Sequence, residues 1–560
     1  MLCALSQFLD RNANLADSKE EDSASKGSNS SRPGTPDQGR EKSSDGVTSD
    51  EEGGVPKHNR RHLPLPSGPH TVGCVDIMCD VADHGTFFRL YYPTTKTDIH
   101  KHYKQWPLWL PRKQYAHGYM IFLKKRKIFG RLAHLIGGDV HVPVLWQAPL
   151  LKSEDKFPVL IVTHGIGGNR TTLSTYCTEL ASHGFVVAAV EHRDGSASMT
   201  LCLQEQLSIS IKDCNDDDDD DDSVVSDDSP GPNRRGRHKR YRRSPHSMQR
   251  SDSGNNNTTT INNNNDDKAD GCDVVSLSGE RPTSGVQFYL NEGKENRDSE
   301  GGRGSRVQQR RNNRKRSLRH NHSCSEEWRP FEHVEVWDDF DYRNGQMYRR
   351  ADEISDLLDE LISMNEGNHI NNALGLAFKT THFKNRLDFS RVAVVGHSFG
   401  CASVLGTLAT DNRFKVGLAL DGWMHPVDSW VYSSTRQPVM FLNMESFQWE
   451  KNVARMIKFQ ESNPEADRPM LTLMGGCHQS VSDFQFIMPQ LVGRFLDVCH
   501  TLRPDVCMST CVTASLAFLY KHLSLPLEPK HKVILENRHP NLISGTNVDL
   551  TIPDDGPTPP

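Results

Sequence analysis

Short runs of consecutive apolar residues alternate along the chain with helical patterns. Phe157-Pro158-Val159-Leu160-Ile161-Val162 reads as a buried strand, and a turn rich in glycine follows it at His164-Gly165-Ile166-Gly167-Gly168. Tyr176 to His183 is helix-like, and Gly184 separates it from a second buried strand, Phe185 to Val190. Strand, helix and strand in that order predict a βαβ unit with a parallel sheet, because strands covered on both faces read as unbroken apolar runs. Farther on, Met347, Ala351, Ile354, Leu357, Leu358, Leu361 and Ile362 recur at spacings of three and four and predict a helix with one face on the core. Arg391 to Val395 is again strand-like and Cys401 to Ala409 helix-like, and further strands are predicted at Val416 to Leu420, Val439 to Asn443 and Met470 to Met474. The alternation predicts an α/β fold, a mostly parallel sheet flanked by helices.

Two stretches break the pattern. Residues 13 to about 60 are Ser, Asp, Glu, Lys and Gly with almost no large apolar side chains, so burial cannot offset the entropy of ordering them; 1–60 is expected to be a disordered tail. Residues 213–326 hold the acidic run Asp216 to Asp222, the basic run Arg234 to Arg243 and Asn/Thr tracts near Asn255 to Asn265, and are expected to form a disordered insertion. Because strands and helices resume beyond it, we expect one interrupted domain, 61–212 with 327–548, and a last disordered tail over 549–560. These polar stretches account for an apolar fraction of only 35%.

A net charge of -6 supplies no overall field for nucleic acid, and no nucleic-acid partner is expected. The thirteen cysteines are scattered without a C-x-x-C and read as reduced thiols of a cytoplasmic protein. Met1 to Ser6 lacks a basic start and a sustained apolar stretch, so no signal peptide is expected, and no run reaches the roughly 18 apolar residues that span a bilayer.

Gly396-His397-Ser398-Phe399-Gly400 matches G-x-S-x-G between an apolar strand and a helix of small residues, the context the motif requires. The turn is so tight that side chains at the glycine positions would collide, and it lifts the serine hydroxyl above the sheet edge. Ser398 is therefore the candidate nucleophile. A serine hydroxyl needs an imidazole to take its proton and an acid to orient the ring, and with this elbow they follow in the order Ser, Asp/Glu, His. Asp421 ends the strand Val416 to Leu420 and is favoured as the acid over Asp428, which is nearer a loop. His478, in the loop Gly475-Gly476-Cys477-His478 after what reads as the last strand, is favoured as the base over His425 and His500. The amides of Phe399 and of Ile166, flanked by glycines, are the candidate oxyanion donors.

These residues, with Gly68 to Cys74, Phe87 to Pro93, Leu180 to Asp194, Ala419 to Met424, Ala514 to Leu519 and Leu542 to Asn547, resemble the platelet-activating-factor acetylhydrolases of the lipoprotein-associated and intracellular type II group. The resemblance implies an α/β-hydrolase fold, Ser398, Asp421 and His478 as nucleophile, acid and base, and Ile166 and Phe399 as oxyanion donors. It also implies hydrolysis of the sn-2 acetyl, short or oxidised acyl ester of a phospholipid, with no metal or other cofactor. Without a signal peptide, the chain looks more like the intracellular branch. Cys401 stands where the family usually has glycine and Gly422 where it usually has alanine, and Leu2 does not allow the N-terminal myristoylation of the family's intracellular member.

Ile121, Phe122, Ile128, Phe129, Leu132, Leu135 and Ile136, interleaved with Lys124, Lys125, Arg126, Lys127 and Arg131, suit an interfacial helix on anionic lipid, or else a helix packed on the sheet with solvated lysines. The acidic run is expected to be a solvated tract rather than a calcium site, and the basic run a partner for the acidic run rather than a nuclear signal or a nucleic-acid patch. Ser229-Pro230 and Ser244-Pro245 read as phosphorylation sites of low specificity. Two rivals stay open: a general carboxylesterase or peptidase of the same fold, and a non-catalytic lipid-binding scaffold.

Overall fold

The apolar runs become the centre of one sheet. The computed structural model describes residues 60–81, 85–95, 98–126, 128–205, 324–336, 338–488, 493, 498 and 501–550. Ten strands, β1 (Val72–Met78), β2 (Phe87–Pro93), β3 (Leu145–Trp146), β4 (Phe157–Thr163), β5 (Val186–Val190), β8 (Leu387–His397), β9 (Val416–Leu420), β10 (Val439–Met444), β11 (Met470–Leu473) and β12 (Leu542–Ser544), lie in the order β12-β11-β10-β9-β8-β4-β5-β2-β1-β3. Strands β5, β4, β8, β9, β10 and β11 run parallel, whereas β2 pairs with β1 and β5, and β12 with β11, antiparallel. This is the α/β-hydrolase arrangement. A separate ladder joins β6 (Met199–Glu205) to β7 (Cys324–Pro330).

Alternate side chains serve the two faces of the sheet. Leu160, Val162, Ala393, Val395, Leu418 and Leu420 meet a layer that includes α1 (Lys113–Phe122), α3 (Ser174–Ser182) and α7 (Pro504–His522). Val159, Ile161, Val392, Val394 and Ala419 meet α4 (Phe340–Asn365), α5 (Phe399–Thr410) and α6 (Glu450–Glu461). Remaining among the longer helices is α2 (Phe129–Gly137). Two faces fully covered explain why these strands are apolar at every position.

Several boundaries differ from expectation. The helix expected around Met347 to Ile362 extends over Phe340–Asn365, its first turn capped by Asp339, which accepts from Tyr342 N at 2.9 Å. Strand β8 starts four residues before Arg391, because Leu387 and polar Asp388 pair with Phe157 and Pro158 of β4 ahead of a bulge, a ladder that a hydropathy pattern does not register. β11 is followed by β12, so it is not the last strand. β7 begins at Cys324, inside the stretch read as insertion, and the pairing of Glu205 with Cys324 sets the two residues that flank 206–323 side by side. Strands from both sides of 206–323 pair in the same sheet, β4 with β8. The tail 1–59, the acidic and basic runs, the Asn/Thr tracts, Ser229, Ser244 and His500 lie outside the described residues, as do most of 213–326 and all of 551–560.

Buried charge ties the loop after β4 to the antiparallel part of the sheet. Arg170 donates to Asp76 at 2.8 Å and to Glu191 at 2.5 Å, and Arg89 donates to both carboxylate oxygens of Asp76. Burial alone would raise the Asp76 carboxyl, but the Arg170 and Arg89 charges outweigh it and hold the group below the usual carboxylate range. Cys74, Cys79, Cys177, Cys202, Cys401, Cys477, Cys507 and Cys511 are buried and carry thiols rather than disulfides. No helix among the described residues is long and apolar enough to cross a membrane.

Candidate active site

Parallel strands deliver their following residues to one edge of the sheet, and Ser398, Asp421 and the loop of His478 follow β8, β9 and β11 there. Ser398 and Asp421 both take a positive φ, 59° and 51°, which a non-glycine residue adopts at a cost and which surrounding bonds must hold. Ser398 N donates to Leu420 O at 3.0 Å, Trp423 N donates to Ser398 O at 3.2 Å, and Asp421 N donates to Leu442 O at 2.8 Å. The elbow is thus pinned to the neighbouring strands. A side chain at Gly396 would fall on the Gly400 carbonyl, and one at Gly400 would sit 2.5 Å from Thr163 O, so the steric demand expected of both glycines is present.

His478 bridges the other two groups. Its Nδ1 lies 2.6 Å from Asp421 Oδ2 and its Nε2 3.0 Å from Ser398 Oγ. The carboxylate can only accept, so Nδ1 carries the hydrogen and Nε2 is left to accept from the Ser398 hydroxyl. Asp421 is buried, and its Oδ1 accepts from Met444 N at 2.7 Å, which fixes the plane of the carboxylate.

Two neighbours of the imidazole were not legible in the sequence. The Phe447 ring stacks on it at 3.6 Å between centroids, and His397 Nε2 donates to the His478 carbonyl at 2.8 Å. Burial, and then the adjacent His478, push His397 down to about 3, so it stays neutral beside a ring that must accept a proton. His397 lies within the G-x-S-x-G motif itself, which is the one signal that could have pointed to it.

The alternatives take other roles. Asp428 caps the helix Ser429–Ser434, accepting from Val431 N at 3.1 Å and from Tyr348 Oη at 2.7 Å. His425 stacks on Trp423 and donates to Asp338 O at 2.7 Å. A second chain of hydroxyl, imidazole and carboxylate, Thr163, His192 and Glu353, spans 2.6 and 2.5 Å. Thr163 and His192 are wholly buried, so no substrate reaches that hydroxyl.

Opposite Ser398 stands the loop His164 to Gly168. A side chain at Gly165 would lie 2.8 Å from Ser398 Cβ, so only a bare backbone permits this approach. Gly167 N donates to Ser196 O at 2.8 Å and Gly168 N to Gly165 O at 3.1 Å, whereas the Ile166 amide just before them has no partner among the described residues. Phe399 is the first residue of α5, where a helix offers its amide no acceptor. Two open backbone donors therefore flank the serine.

Cys401 and Gly422, the two departures from the resembled pattern, face one another. A methyl at Gly422 would meet Cys401 Cβ at 3.1 Å and Sγ at 3.3 Å, so the thiol occupies the space that glycine at 422 leaves. Its Sγ donates to Gly396 O at 3.0 Å, bracing the elbow from beneath.

The apolar stripe from Ile121 to Ile136 is not one helix. α1 ends at Phe122, Lys124 has φ 55°, and α2 starts at Phe129. Phe122 packs on Phe331 at 4.9 Å and against Gly167, so it is half-buried beside the candidate oxyanion loop. Ile128, Leu132 and Leu135 are 64%, 46% and 75% exposed, with Lys124, Arg126 and Arg131 exposed among them. Lys127 is outside the described residues.

The sequence model described as "Platelet-activating factor acetylhydrolase, isoform II" matches residues 56–224 and 288–539. The chain is similar to the platelet-activating factor acetylhydrolase of Gallus gallus, 32% identical over 507 residues that cover 89% of this chain and 92% of the relative. It is also similar to those of Bos taurus, at 31%, and Canis lupus familiaris, at 30%, each over 490 residues covering 87% of this chain and 84% of the relative.

Proposed function

The chain belongs to the platelet-activating factor acetylhydrolase, isoform II, family of phospholipid esterases, and from that premise we propose that it uses Ser398 to hydrolyse the sn-2 acetyl, short-chain or oxidised acyl ester of platelet-activating factor and related phospholipids. The observation that carries this reading is the unbroken chain from Ser398 Oγ through His478 to Asp421 at one end of the parallel strands.

Ser398 Oγ attacks the ester carbonyl carbon as its proton passes to His478 Nε2. The carbonyl oxygen becomes an anion and is received by the Ile166 and Phe399 amides, while Asp421 steadies the imidazolium. On collapse, the bond from the carbonyl carbon to the glycerol sn-2 oxygen breaks. The proton on His478 goes to that oxygen, and the lyso-phospholipid leaves an acyl-serine. Water, deprotonated by His478, then attacks the acyl carbon, and the carboxylate is released as Ser398 regains its proton. No step calls on a metal ion.

The test is acyl release by the purified full chain from phosphatidylcholines with acetyl or long sn-2 chains and from simple aryl esters, with and without a calcium chelator. The proposal expects acetyl to be favoured over long acyl by at least about a hundredfold, since kcat/KM differences of that size correspond to about 2.7 kcal/mol of transition-state binding. It also expects rates within about twofold with the chelator present, a change of less than half a kcal/mol. Equal turnover of all esters would favour the general carboxylesterase.

We further propose that Ile128, Leu132 and Leu135, with Arg131 beside them, seat the protein on an anionic lipid surface. Leu135→Asp is expected to lower sedimentation with phosphatidylserine-containing vesicles about tenfold, because losing the burial of one leucine removes about 1.5 kcal/mol or more. Hydrolysis of a soluble ester should be unchanged. Undiminished vesicle binding would refute the assignment.

A further inference from the structure

Among the apolar residues that α4 turns inward stands an arginine in the middle of the face. Met347, Arg350, Ala351, Ile354, Leu357, Leu358 and Leu361 share the helical spacing of three and four, and all are wholly or almost wholly buried, Arg350 included. A guanidinium is retained on a buried face only where each of its donors has work to do. Arg350 Nη1 donates to His164 O at 2.7 Å, Nε to Asp194 Oδ2 at 2.9 Å, and Nη2 to Ser196 Oγ. Its guanidinium carbon lies over the Phe399 ring, 4.4 Å from the ring centre.

These contacts converge on the two candidate oxyanion donors. His164 O belongs to the strand end that runs directly into Gly165 and Ile166, and Ser196, held by Arg350 through its hydroxyl, accepts from Gly167 N on the other side of Ile166. The Ile166 amide is therefore bracketed by two attachments that both lead to Arg350. Phe399 supplies the other amide, and its ring is covered by the same guanidinium. Asp194 accepts from Ser196 N at 3.1 Å as well as from Arg350, which closes the network.

We propose that Arg350 is a positioning residue for the proposed hydrolysis, a single buried guanidinium that sets the spacing between the Ile166 and Phe399 amides across Ser398. The inference rests on the reading of these two amides as oxyanion donors. A lysine would keep the charge, but with one nitrogen at the end of a flexible stem it cannot hold His164 O and Ser196 Oγ while stacking on the ring.

The test compares kcat/KM of the full-length protein and its Arg350→Lys variant on an aryl acetate and the matched aryl thionoacetate. Sulfur in place of the carbonyl oxygen is a larger and weaker acceptor, so the ratio of oxo to thiono ester reports the fit of the oxyanion hole rather than the amount of folded enzyme. Arg350→Lys is expected to lower turnover of the oxo ester about tenfold to a hundredfold, somewhat less than deleting an oxyanion donor outright. It should lower the oxo-to-thiono ratio by about the same factor, with the thiono ester little affected. An equal loss on both esters would show a merely structural role and overturn the proposal. If Arg350→Lys does not fold, Ser196→Ala decides, since it removes one attachment and should lower the ratio severalfold; an unchanged ratio there overturns the proposal too. A wild-type protein that treats the two esters alike would instead refute the oxyanion assignment itself.

Discussion

Ser398→Ala is expected to lower turnover of an acetyl phospholipid by about a million-fold, to the level that binding and oxyanion stabilisation sustain without a nucleophile. The size of the effect follows from the geometry. Ser398 Oγ sits 3.0 Å from His478 Nε2, the distance at which its proton can leave as the bond to carbon forms. Alanine keeps the positive φ of the elbow no worse than serine does, and the bonds that pin the turn use the backbone of residue 398, so the fold should persist. The measurement is acyl release together with labelling by a fluorophosphonate probe, which should vanish in the same variant while the thermal midpoint moves little. A variant that retains activity and labelling would remove Ser398 from the mechanism and reopen the search for the nucleophile.

Asp421→Asn should cost about ten-thousandfold in kcat with little change in structure. Asp421 Oδ1 accepts from Met444 N, and this bond decides how an amide would sit. With the asparagine carbonyl kept on Met444 N, the amide NH2 faces His478 Nδ1 and forces that nitrogen to be the acceptor, so the hydrogen moves to Nε2 and points at Ser398. The imidazole then presents a donor to a hydroxyl that needs an acceptor. Flipping the amide would repair the tautomer only by setting two donors against each other at Met444. A kcat within tenfold of wild type would mean that some other group orients His478.

Much of the fold was readable because burial leaves a local trace. Strands β4, β5, β9, β10 and β11 are covered on both faces and so appear as short apolar runs, and α4 displays its stripe at helical spacing. β6 and β7 left no such trace, since Thr200, Gln204, Ser325 and Glu327 are polar and their ladder joins segments on either side of 206–323. The elbow was readable for a steric reason, Gly396 and Gly400 being positions where a Cβ meets backbone. Arg350 had a signal that a hydropathy reading passes over, an arginine at helical spacing between Met347 and Ile354. The break between α1 and α2 had none, because a run of basic and apolar residues fits a helix as well as a turn until Phe122 finds Phe331 and Gly167.

Local order in the chain was therefore determined by the sequence alone: which segments are strands, which turn must be glycine, and which side chains end the strands. Only the tertiary structure decided what those chain ends meet. His478 lies 80 residues from Ser398, Arg350 lies 186 from His164, and Cys401 fills the space beside Gly422. Such contacts depend on the order and parallel direction of strands in the sheet, a property of long-range packing that no window of neighbouring residues encodes.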